Sequence, residues 1–258
     1  MEFGSVLNSE PKTVSESDLT RPIPGTPPFS LATLMVWVTF LSLSFCAWMT
    51  FLNGFGLNAT GKLDWFSIRF YGTSAVGLGT GITTIVLMVL WRSRGMAWSW
   101  QPGHVMLLWI GYYELATISA VAVDVTTHDP SMGYDPFRQR IYEVEGLVQH
   151  CGVILILVVC LSLLRFSRLW RVVFGLVIFL NLLILALMNP LQLPMGQFIS
   201  FEMLRRSANV MRIVVFGMVP LLALWELVQR EQRDWLHWVG IVILLLHYAK
   251  WMNYLAGF

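Results

Sequence analysis

Residues 30–52 read SLATLMVWVTFLSLSFCAWMTFL, an unbroken run without one charged side chain. About 20 mostly apolar residues, wound as a helix, cross the hydrocarbon core of a bilayer. The run is long enough, and its few hydroxyls are small. Working outward from it, the same reading finds six further segments: 67–91, 104–125, 142–165, 169–189, 208–230 and 235–257. In lipid every backbone N–H and C=O must be satisfied within its own segment, which makes each of these a helix. The expected fold is all-α, a seven-transmembrane-helix bundle spanning 30–258. Residues 1–29 are rich in Pro, Ser and Thr and read as a polar tail rather than a signal peptide.

Composition agrees with this reading. Of 258 residues, 56% are apolar and 12% charged, against about a quarter charged in soluble domains. That excludes a water-soluble enzyme and a disordered chain. The 17 basic and 15 acidic side chains leave +2, so nothing points to nucleic acid. Cys46, Cys151 and Cys160 fall inside apolar runs and read as packing residues, with no zinc spacing. GLGTG at Gly77–Gly81 lies within the second span, where glycines serve close helix approach rather than phosphate. No nucleophile–base motif is present, so the sequence names no catalytic residue and leaves open whether the chain is an enzyme.

Orientation follows from Lys and Arg in short loops. The second, fourth and sixth loops carry Arg92 and Arg94, then Arg165, Arg168 and Arg171, then Arg230 and Arg233. The bias places the N-terminus in the cytoplasm and the C-terminus outside. Residues 190–212, with Pro190, Pro194, Glu202, Arg205 and Arg206, read as a structured loop containing a short interfacial helix. Arg212 is expected to meet headgroups or loop carboxylates.

Ionisable side chains within a span are expensive and mark functional sites by default. Four share one level in the outer half of the bundle: Glu114 in the third span, His150 in the fourth, and His247 and Lys250 in the seventh. Each has a plainer alternative. Lys250 sits eight residues from the end and is able to snorkel to the interface. His150 caps a loop end, or His247 hydrogen-bonds across a helix interface. Glu114 has no cation within four residues on its own helix, so it is either protonated or paired across helices. Lys250, the only lysine in any span, is the partner expected. Glu226 reads as a surface ion pair with Arg230 at i+4, and Asp124 as hydrated.

A lone lysine in the seventh span and a carboxylate in the third resemble the microbial rhodopsin superfamily. The likeness rests on Ala249–Lys250, on the run Tyr113-Glu114-Leu115-Ala116-Thr117-Ile118-Ser119, and on Phe216-Gly217-Met218-Val219-Pro220, which ends thirty residues before the lysine. An inside N-terminus and a glutamate partner are most similar to heliorhodopsins. The third-helix arginine of the superfamily is replaced here by Gly111. The resemblance implies retinal held as a Schiff base on Lys250 with Glu114 as counterion. It further implies tuning by His150 and His247, and a pocket including Tyr113, Thr117, Ser119, Phe216, Pro220 and Trp225. With no inner-half carboxylate facing the site, sensing or regulation is expected rather than pumping.

Two other readings stand beside it. His150 and His247, on different helices at similar depth, suit the two axial imidazoles of haem b. Alternatively the chain is a non-catalytic accessory subunit or small-molecule carrier. Its expected partners are the lipid bilayer and either a second copy or a larger membrane complex.

Overall fold

The computed structural model describes residues 29–54, 65–96, 100–127, 136–188 and 201–256. Among these the chain forms seven helices and no strand: α1 (Leu31–Gly54), α2 (Trp65–Ser93), α3 (Pro102–Thr127), α4 (Pro136–Leu163), α5 (Arg168–Met188), α6 (Phe201–Val228) and α7 (Trp235–Ala256). The expected all-α bundle is what the chain adopts. The first 28 residues, and with them the Pro-rich tail, lie outside the described residues, as does 189–200.

Local chemistry sets several helix ends. The Ser30 hydroxyl accepts from the Thr33 N–H at 3.2 Å, capping α1. Pro102 and Pro136 open α3 and α4, where a missing N–H costs nothing. Asp234 caps α7 by accepting from the His237 N–H at 2.8 Å. The α2 helix stops at Gly95 in the left-handed region, φ 70°.

Six of the helices, α1 to α6, are long and apolar enough to cross a membrane. The seventh has 22 residues, and its described apolar stretch is the shorter Trp235–Lys250. The lipid-facing surface is apolar: Leu31, Met35, Val38, Leu155, Leu163 and Leu221 are all largely exposed. Of the run expected as a loop over 190–212, the part from Phe201 onward is helical and belongs to α6, while 190–200 lies outside the described residues. Glu202, Arg205 and Arg206 are good helix formers that extend the apolar segment by two turns instead of forming a separate interfacial helix.

α3 is the central element. It packs against α1, α2, α4 and α7, and α7 in turn leans on α2 and α3. Two glycine crossings make this closeness possible. A Cβ on Gly81 of α2 would stand 2.4 Å from the Gly111 Cα of α3. At the other end, a Cβ on Gly103 of α3 would stand 2.1 Å from the His237 carbonyl oxygen of α7. The Gly77–Gly81 run is therefore a packing device: Gly77 and Gly81 face α3, while Gly79 faces Leu41 of α1. The apolar core of Leu107, Ile110, Val153, Leu157, Phe174, Val215, Val219 and Leu244 fills the middle of α3 to α7.

Helices α2 to α7 run up and down. The starts of α3, α5 and α7 meet the ends of α2, α4 and α6 at one end of the bundle, called the short-loop end. The other end is the long-loop end.

Candidate functional site

The α2–α3 crossing at Gly81 and Gly111 puts the next turns of both helices beside α7. There Lys250 donates from Nζ to Glu114 Oε1 at 3.0 Å and to Ser74 Oγ at 2.6 Å. His247, one turn earlier on α7, meets the same Glu114 oxygen through Nδ1 at 3.1 Å. A carboxylate only accepts, so Nδ1 of His247 carries the proton. Glu114 is 0% exposed, Lys250 5% and His247 6%. Lys250 therefore does not snorkel: its ammonium is held among α2, α3 and α7, 4.2 Å above the Phe70 ring. The other carboxylate oxygen, Glu114 Oε2, is buried and has no hydrogen-bond partner among the described residues.

The expected convergence holds for Glu114, His247 and Lys250, and only in part for His150. Its Nδ1 bonds Asn181 Oδ1 of α5 at 2.6 Å, not the ion pair. Because Asn181 uses its amide nitrogen on the Val177 carbonyl, its oxygen is the acceptor and His150 Nδ1 the donor. His150 joins the site through space rather than through a bond. A cavity of about 150 Å³ is lined by Trp109, Tyr113, His150, Asn181, Arg212, His247 and Tyr248, with Leu180 and Ile184. The Tyr113 ring lies edge-on between the two imidazoles, 5.2 Å from His247 and 6.4 Å from His150. Lys250 and Glu114 are not on the cavity wall; His247 separates them from it.

The remaining expected residues divide. Thr117 accepts from Gln149 Nε2 of α4 at 2.7 Å, one turn towards the long-loop end, and the same amide reaches Glu145 Oε1 at 2.8 Å. Phe216 packs edge-on against Tyr248, 5.8 Å between centroids, behind the cavity, and Pro220 lies one turn further along α6. Ser119 is exposed, donates to the Leu115 carbonyl and lines a groove between α3 and α4, away from the ion pair. Trp225 is 52% exposed on the outer surface and lines nothing internal. A helix repeats every 3.6 residues, so residues 115 and 119 share a face that 114 does not.

Two readings of polar residues are corrected. Asp124 is 1% exposed, not hydrated, accepting from Arg138 at 3.1 Å and Tyr142 at 2.7 Å across α3 and α4. Glu226 is 3% exposed and makes no surface pair with Arg230. Arg230 has a left-handed backbone, φ 52°, at the end of α6, which carries it off the helix face. Glu226 instead accepts from Trp170 Nε1 at 2.7 Å, His237 Nε2 at 3.0 Å and Arg233.

That short-loop cluster contains residues that the sequence reading passed over. His104 and His237 are both 0% exposed. Each imidazole accepts a backbone N–H at Nδ1, from Gln101 at 3.2 Å and from Gly103 at 3.0 Å, and so donates from Nε2. His104 donates to Asp234 at 2.9 Å. The signal was available in principle, since Gly103-His104 follows Pro102 at a helix start whose N–H groups need acceptors. Which acceptors would reach them depended on α7, 130 residues away.

Comparison of the chain with protein-family models, with curated proteins and with solved structures finds no match.

Proposed function

We propose that this is a multi-pass membrane protein, cytoplasmic at its N-terminus, that binds retinal on Lys250 with Glu114 as its charge partner and works in sensing or regulation. One observation carries the reading: the lone lysine within the seven apolar segments lies 3.0 Å from a fully buried carboxylate on α3. An aldehyde ligand needs a buried amine to condense with and an anion to balance the cation that results. Both groups are here, and Ser74 and His247 hold them in register. Glu114 Oε2 adds a buried acceptor that no described residue uses.

The residues fit the amine end of such a ligand. The polyene end would extend past His247 into the cavity between the Trp109, Tyr113 and Tyr248 rings, which requires that imidazole to swing aside from Glu114. That cavity measures about 150 Å³, whereas ligand pockets run from about 300 Å³ upwards, so uptake entails an opening of the space between α3, α6 and α7. Retinal supplies the light absorption. The chain supplies attachment at Lys250, a counter-charge at Glu114 and exclusion of water by the aromatic walls. No second buried carboxylate lies on the path from this site through the apolar core to the Glu226 cluster among the described residues, which favours sensing over proton pumping.

The test is a visible spectrum of the purified protein after expression with all-trans retinal. A broad band that Lys250→Ala abolishes and that Glu114→Gln moves to the red supports the reading. A weaker counter-charge leaves the positive charge more delocalised, hence the red shift. A sharp Soret band with haemin instead would shift the assignment to haem b between His150 and His247. A colourless protein in both trials leaves the accessory or carrier role.

A further inference from the structure

Arg212 carries the charge of the cavity. It lies eleven residues into α6, nine beyond Met203 where the apolar stretch of that helix begins, and is partly buried. Its guanidinium has five N–H donors. Among the described residues it makes one hydrogen bond, from Nη1 to Asn209 Oδ1 at 3.2 Å, and no ion pair. The acids at this level are committed elsewhere. Glu114 is taken by Lys250 and His247, and Glu145 accepts from Gln149 and borders the α3–α4 groove. Glu202, ten residues before Arg212 on the same helix, is about 15 Å away along the axis.

The other polar walls of the cavity are His150, Asn181, Tyr113, His247 and Tyr248. None of these brings a formal negative charge. Partial burial on the wall of an apolar cavity makes a counter-charge worth more to this cation than it would be in water. The geometry points to a small monovalent anion, of chloride, nitrate or formate size, bound in this cavity against Arg212, with the second amide N–H of Asn181 as a further donor. The planar fork of Arg suits an oxyanion in particular. Such an anion is much smaller than the cavity, so it leaves the aromatic part to a larger ligand. The inference does not rest on the retinal reading, because its test uses the protein without retinal.

The experiment is thermal unfolding of the full chain in nanodiscs of neutral lipid, at fixed ionic strength, with sodium formate, chloride or nitrate exchanged stepwise for gluconate, which the cavity cannot hold. The expected result is a saturable rise in Tm for at least one small anion, weakened more than tenfold in apparent affinity by Arg212→Gln and partly kept by Arg212→Lys. Ile184→Phe, which fills the cavity without touching charge, is expected to remove the response too, and it decides the matter if Arg212→Gln does not fold. A wild-type Tm indifferent to the exchange overturns the inference. So does a response that survives both Arg212→Gln and Ile184→Phe.

Discussion

At Glu114 a single oxygen, Oε1, serves both Lys250 and His247, and this concentrates the stability of the site in one residue. Removing one partner of a buried pair strands the other charge and costs about 3–5 kcal/mol, whereas replacing both by neutral groups of similar size is often close to neutral. Glu114→Ala is therefore expected to lower stability by about that amount, and Glu114→Gln combined with Lys250→Met to recover most of it, as read by thermal unfolding in nanodiscs. Asp234 governs the opposite end. Burial opposes its ionisation, but the hydrogen bonds from His104 and from the His237 N–H outweigh this and hold the carboxyl below its ordinary value of 3.8. A depressed folded value means stability that is complete above pH 3.8 and is lost as pH falls through the folded value. Asp234→Asn is expected to flatten that acid limb in a pH series of melting curves. The pairing of Glu114 with Lys250 was legible in the sequence because each was the odd charge in an apolar segment. Ser74 was not: a serine in a membrane helix bonds its own backbone as readily as a neighbour, and only the packing of α2 on α7 selects it.

The α2–α3 crossing is the element on which the site depends. Gly81 and Gly111 let the two backbones touch, and Ser74 and Glu114 then reach α7 from the two sides of one groove. Adding a methyl group at Gly81 would put it 2.4 Å from backbone, which has no rotamer to escape into. Gly81→Ala is expected to cost about 1–3 kcal/mol through forced separation of the helices. At Gly217 of α6 an added Cβ meets nothing within 4 Å, and Gly217→Ala is expected to gain up to about 1 kcal/mol by stiffening the helix. Melting curves of the two variants side by side test the crossing against the general effect of alanine. The crossing also accounts for Gly111, the position one turn before Glu114 where the rhodopsin likeness has arginine: no side chain fits there. Helix number and approximate ends were readable from apolar length alone. The start of α6 was not, because its first two turns carry Glu202, Arg205 and Arg206, which reduce apolar character without ending a helix.

On the scale of the whole molecule two buried clusters built on titratable side chains stand on either side of an apolar core. Ser74, Glu114, His247 and Lys250 lie on the long-loop side, and His104, Glu226, Asp234 and His237 at the short-loop end. Level and helix were enough to place Glu114, His247 and Lys250 of the first cluster from sequence, though not Ser74. The second needed the fold, because its members meet across four chain reversals. In the proposed orientation, with the arginines of the short loops in the cytoplasm, the Lys250 site lies in the outer half of the bundle. A reporter that is active only in the cytoplasm, fused after Phe258, is expected to stay silent, and an active one would reverse the orientation. The central claim is that Lys250 is a reactive amine for retinal, and one measurement reaches it directly. The protein is incubated with all-trans retinal, reduced with borohydride, digested and weighed by mass spectrometry. The account predicts a peptide containing Lys250 heavier by one retinyl group, with that modification absent from every other lysine. An unmodified Lys250 peptide, or retinyl groups spread over loop lysines alone, would contradict it.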